Sequence, residues 1–160
     1  MSQFRVEKRR ADAEITLATG ATVRGAFFLA ASAASHAGPE RVADLLNAEG
    51  GFFPFDTAGN DTGTVLVNRA HVVSVRLLER TNEPSLDPGY AFAVERQVAM
   101  LLTNGMTLRG HVRIYRPQGR DRLSDYARSA DVFRYVENVD GTFVVNSAHI
   151  VNLAEIEEGA

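Results

Sequence analysis

Two short strings carry the side chains with the most chemical reach. Asn68, Arg69 and His71 sit in one Asn-x-Ala-His string, and Asn146 and His149 recur in a second. An imidazole at a chain corner can bond its own turn, stack on a base or ligate a metal. Position favours the bond to the backbone of its own turn. Asparagine suits a corner because it tolerates the left-handed region and bonds local backbone. Its amide can also read a base edge or a partner's main chain. Arg109, Arg113 and Arg116, followed by Arg120 and Arg122, form the densest basic stretch, interrupted by Asp121. Such arginines contact phosphate when they line a groove and otherwise belong to a solvated loop and strand edge, the plainer reading here. Arg24 and Arg109 each precede a glycine and read as surface strand residues.

The rest of the catalytic repertoire is missing from the sequence. Neither histidine has Cys, Asp or Glu at ligand spacing, so no metal site is expected. The chain has no cysteine, which excludes disulfides and thiolate ligands. Nucleophile elbows, phosphate-binding glycine loops, dinucleotide fingerprints and zinc-hydrolase helices are all absent. Asp44 and Asp125 are copies of one another rather than a pair. The expectation is a non-enzyme without metal or cofactor.

Charge narrows the partner. The net charge is −3, from 17 Lys and Arg against 20 Asp and Glu. Residues 1–80 hold 9 of each sign and residues 81–160 hold 8 and 11, so neither half is a basic domain. The start, Met1 to Arg10, lacks an apolar run of signal-peptide length, and the longest mainly apolar stretch, 26–37, is too short for a bilayer. A cytoplasmic protein without a membrane partner follows as the expectation.

The elements that must position these residues are written twice. Ile15 to Gly25 and Met100 to Gly110 match at an offset of 85, with Gly20, Thr22, Arg24 and Gly25 repeating as Gly105, Thr107, Arg109 and Gly110. Apolar residues alternate on both sides of Thr19-Gly20 and Asn104-Gly105, which predicts a hairpin in each copy. Gly25 and Gly110, inside the outgoing strand, mark a bulge or sharp bend. At an offset of 81, residues 39–50 and 121–127 each predict a short helix whose Val42, Leu45, Leu46 stripe repeats as Leu123, Tyr126, Ala127. Arg41 and Asp44, three apart, predict an exposed ion pair. Aromatic strands follow at Phe52–Phe55 and Phe133–Tyr135. At an offset of 78, Thr64–Val75 parallels Thr142–Leu153, two β-branched runs around each Asn-x-Ala-His corner. The organisation is therefore a tail over 1–12, a first repeat over 13–80, a turn-rich linker over 81–96 and a second repeat over 97–158.

With an aliphatic strand, a glycine turn and a glycine in the outgoing strand at Leu17–Gly25 and Leu102–Gly110, and an aliphatic run into a tight corner at Val65–Val73 and Val144–Val151, the chain resembles the Sm-like superfamily. It is also similar to small uncharacterised bacterial proteins of this pattern. The resemblance implies a mainly β fold: two tandem five-stranded small barrels, each with a helix inserted between its second and third strands. The family's corners carry Arg-Gly or Lys-His, whereas Asn68-Arg69 and Asn146-Ser147 stand here. The favoured reading is a non-catalytic binding or assembly module that mediates protein–protein association, self-association included. Its rivals are single-stranded RNA binding, with Arg69, His71 and His149 on bases and Arg109, Arg113 and Arg116 on phosphates, and a small-ligand sensor.

Overall fold

Alternation of small and aliphatic residues builds the first strand. In β1 (Lys8–Leu17) the inward positions Ala11, Ala13 and Ile15 are buried, and the strand turns at Gly20 (φ 90°) into β2 (Thr22–Ala30). The same hairpin recurs as β6 (Val94–Leu102) and β7 (Thr107–Ile114), turned at Gly105 (φ 85°). The positive φ at both turns is the conformation glycine adopts without a Cβ clash. The computed structural model describes residues 8–31, 38–48, 50–57, 63–78, 83–86, 90–114, 123–127 and 131–156. Lys8–Asp12 are part of β1, and Val94–Arg96 part of β6.

Each hairpin is followed by a short helix and three more strands. The first copy adds α1 (Val42–Asn47), β3 (Phe52–Thr57), β4 (Thr64–Asn68) and β5 (Val72–Leu77). The second adds α2 (Leu123–Ala127), β8 (Phe133–Asn138), β9 (Gly141–Asn146) and β10 (Ile150–Glu155). Helix α1 is shorter than the expected 39–50. Its Arg41–Asp44 pair is not exposed, because both side chains are largely covered, with Nη2 to Oδ1 at 2.8 Å and Nε to Oδ2 at 3.0 Å.

The expected pair of separate five-stranded barrels, each with an inserted helix, is not what forms. All ten strands join one antiparallel sheet in the order β10-β6-β7-β8-β9-β5-β1-β2-β3-β4. The reason is the contact between β5 and β9, where Ser74, Val75 and Arg76 pair with Val145, Val144 and Phe143. Each copy keeps the same internal strand order, and the last strand of the first is laid against the penultimate strand of the second. The edges left at the two ends of the sheet are β4 and β10.

The glycines inside β2 and β7 have a different role from the expected bulge. A Cβ on Gly25 would collide with the Asp56 carbonyl oxygen of β3, and one on Gly110 would lie 2.6 Å from the Glu137 carbonyl oxygen of β8. These are points of close strand approach. The register shifts fall elsewhere: Val73 is the extra residue between Ser74↔Thr16 and Val72↔Leu17, and Val151 is the extra residue between Asn152↔Leu101 and Ile150↔Leu102.

Two cores result, and they trade residues across the joint. The first, built around Phe27 stacked on Phe53 and edge-on to Phe55, also takes Phe133 and Val144 from the second copy. The second, around Val98, Met100, Val112 and Val136, takes Val73 from the first. Side chains exchanged in this way make the two copies depend on one another for burial.

A buried carboxylate fastens the joint from the segment between the copies. Glu83 lies buried in a 3-10 turn, accepting from the Val42 amide at 3.0 Å and from the Tyr135 hydroxyl at 2.8 Å. Burial raises its pKa, outweighing the hydrogen bonds from Tyr135 and Val42 and the charges of Arg9 and Arg41. A raised folded-state pKa favours the protonated acid, so this stabilisation is complete below the unfolded-state pKa and is lost as pH rises through the folded one. Glu83→Gln, which keeps an acceptor for Val42, is expected to flatten the fall in thermal midpoint as pH is raised from about 4 to 7. Glu83→Ala, which strands the Val42 amide, is expected to cost about 1–3 kcal/mol at acid pH and less as pH rises. Thermal melts across that range check both.

Candidate functional site: the corners and the free edges

The corner residues are held by geometry common to both copies. Arg69–His71 and Ser147–His149 each form one 3-10 turn, and the preceding asparagine caps it: Asn68 Oδ1 accepts from Ala70 N at 3.0 Å, and Asn146 Oδ1 from Ala148 N at 3.0 Å. The asparagines are extended (φ −78° in both), not left-handed as their type suggests. Their value lies in the side-chain cap rather than in the backbone.

The second corner is seated on the first. Asn146 is buried, and its amide nitrogen donates to Val72 O at 2.9 Å and Arg69 O at 3.4 Å. His149 bonds across the same seam, Nε2 to Ala70 O at 2.7 Å, while its Nδ1 meets Thr103 Oγ1 at 2.7 Å. A carbonyl only accepts, so Nε2 carries the proton. His149 therefore bonds the other copy's corner rather than its own turn.

The equivalent donors in the first copy have no such seat. Among the described residues, neither the Asn68 amide nitrogen nor the His71 ring has a hydrogen-bond partner, and His71 is exposed. The residue opposite its backbone is Ala18 where the second copy has Thr103.

Arg69 is taken up by structure. Its guanidinium donates to Gly50 O at 3.1 Å, Phe52 O at 2.7 Å and Leu45 O at 2.9 Å, closing the end of α1, and desolvation lowers its pKa. The second copy has Ser147 at that position. Arg134 of β8 instead bonds the Tyr126 and Ala127 carbonyls at the end of α2. The repeat alignment hides this exchange, because the two arginines occupy non-equivalent positions. Arg113 is paired with Glu95 at 2.7 Å and Glu137 at 3.4 Å, and its guanidinium lies 3.8 Å from the Tyr90 ring centre. Burial pulls its pKa down, but Tyr90, Glu95 and Glu137 together outweigh that and raise it. Arg109 is exposed on β7. Arg116 lies outside the described residues. The structure thus seats Asn146 and His149 on the backbone carbonyls of Arg69, Ala70 and Val72, leaves the Asn68 amide nitrogen and the His71 ring unused among the described residues on the first corner, and places Arg109 and Arg113 on β7.

The signal that single-residue reading missed is apolar. Opposite the corner asparagines stand Phe52 and Phe133, which fixes their equivalence. Phe133 is 4% exposed and Phe52 is 59%; Val144 is 0% and its equivalent Leu66 is 70%; Val73 is 0% and its equivalent Val151 is 59%. All three of the second members lie on or beside β4 and β10. Three residues buried at or beside the internal joint are thus duplicated, uncovered, at the two ends of the sheet.

No protein-family model, curated protein or solved structure matches the chain. No helix among the described residues is long and apolar enough to cross a membrane, and no cluster of metal-ligating side chains is found among them.

Proposed function

We propose that the protein is a non-catalytic assembly module that associates with protein partners, further copies of itself included, through its two sheet edges. One observation carries this: the β5–β9 joint is a strand pairing between copies, and Val144 and Val73, buried there, recur as the exposed Leu66 of β4 and Val151 of β10. Carrying the register over by 78 residues pairs Asn152, Leu153 and Ala154 of β10 with Val67, Leu66 and Val65 of β4 in a second chain. An exposed apolar edge strand is a template for such pairing. Because β4 and β10 differ, the contact is head-to-tail, and repetition either closes a ring or extends a filament.

The first test is light-scattering mass on a size-exclusion column, with absorbance at 260 and 280 nm, over a dilution series. A concentration-dependent mass at multiples of 17.4 kDa without nucleic acid is expected. A peak rich in 260 nm absorbance that nuclease removes would favour RNA instead. The register has its own check, because the chain has no cysteine. Leu66→Cys combined with Leu153→Cys is expected to give a disulfide-linked ladder on oxidation, whereas either alone gives at most a dimer.

The RNA reading draws less support from the site. Arg69, His149 and Arg113 are each engaged with the protein's own groups. Charge reversal at Arg113 is therefore expected to lower stability through lost pairing with Glu95 and Glu137 while leaving self-association unchanged. Melts and the same column check this.

A further inference from the structure

Resting on the self-association just described, we infer that Asn68 and His71 form an intermolecular clasp on a second copy of this chain. Within the chain, the corner of the second copy does more than turn. Asn146 donates to Val72 O and His149 to Ala70 O, two polar bonds that flank the β5–β9 pairing at the end nearest the corners. The same residue types stand at Asn68 and His71, on the same 3-10 turn, capped by the same bond to the residue two further on. Their donors are unused among the described residues.

Transferring the contacts by the repeat offset gives definite partners. Asn68 Nδ2–H donates to Ile150 O, and His71 Nε2–H to Ala148 O, both of the second copy's β10 side. Ile150 and Ala148 stand in the second repeat where Val72 and Ala70 stand in the first. The clasp fixes register: sliding β10 by one residue along β4 misplaces both acceptors together and turns Leu153 away from Leu66. His71 lacks the threonine that orients His149, so its ring is oriented by the second copy alone.

The decisive variants remove the donors and keep the turn. Asn68→Asp retains an oxygen for Ala70 N but sets a carboxylate against the Ile150 carbonyl. His71→Ala removes the ring, and His71→Gln restores an N–H of comparable reach. In sedimentation equilibrium of the full chain, Asn68→Asp with His71→Ala is expected to raise the dissociation constant at least ten-fold. The circular dichroism spectrum should be unchanged, and His71→Gln should recover most of the loss relative to His71→Ala. If the double variant associates within two-fold of wild type while Leu66→Lys does not associate, the clasp is wrong and edge pairing stands. If wild type is a monomer at every concentration, edge pairing fails and takes the clasp with it. Should the double variant misfold, oxidation of His71→Cys with Ala148→Cys decides: an interchain ladder supports the contact, and intrachain or no linkage overturns it.

Discussion

Leu66→Lys is expected to abolish self-association and leave the chain folded, while Val144→Lys at the equivalent position is expected to unfold it. Both residues occupy the same place in the repeat. Val144 is enclosed at the joint opposite Val75, whereas Leu66 stands on the free edge. A lysine at 144 would place an unpaired ammonium in the first core beside Phe133, a loss of about 3–5 kcal/mol or more and a large fraction of the stability of a chain this size. A lysine at 66 remains in water in the monomer and costs little there. On association it would have to be desolvated against Leu153, and charged residues on edge strands block pairing for this reason. Circular dichroism melts and light-scattering mass on the two variants read the contrast directly. Assembly by Leu66→Lys at wild-type strength would place the interface elsewhere on the molecule.

The second large effect belongs to the strand glycines. Gly25→Ala forces a methyl group into the Asp56 carbonyl oxygen and the Phe55 ring, and main chain cannot rotate aside as a side chain can. A cost of about 3 kcal/mol or more is expected, at the upper end of overpacking effects. Gly110→Ala meets Glu137 O at 2.6 Å and Val136 Cγ1 at 2.8 Å, and the smaller intrusion predicts a smaller loss. Gly20→Ala faces open space and is limited to the roughly 1 kcal/mol cost of a positive φ without glycine. Denaturant midpoints for the three variants should follow the order Gly25, Gly110, Gly20, most destabilised first. A Gly25→Ala protein as stable as Gly20→Ala would contradict the close strand approach at β3.

The duplicated hairpins, the helix after each and the corner between the last two strands were legible because each leaves a local mark. Period-two alternation and Gly20 or Gly105 define the hairpins, and the Asn-x-Ala-His strings define the corners. What joins the copies was not legible, for a physical reason. Pairing of Val75 with Val144 depends on which edge meets which, and a β-branched strand reads the same whether its edge is covered or bare. The resemblance therefore suggested two separate closed units where a single sheet forms. Burial of Glu83 was equally silent, since a glutamate beside Pro84 in a linker reads as a solvated turn until Tyr135 and the start of α1 are seen to converge on it. Arg41 and Asp44 were placed correctly as partners but on the wrong side of the surface, because spacing gives proximity and not coverage.

The joint between the copies also sets a timetable. Val75 precedes Val144 by 69 residues, so a chain emerging from the ribosome completes its first five strands well before β9 exists to cover β5. During that interval the nascent first repeat shows two bare edges, β5 and β4, that are complementary in the same sense as β5 and β9. Two neighbouring nascent chains can satisfy each other before either meets its own second half, and long-range strand pairing is slow compared with local hairpin closure. A fragment ending near residue 78 would carry that hazard permanently, and its propensity to polymerise at low concentration measures how much the second repeat acts as a tethered guardian of the first.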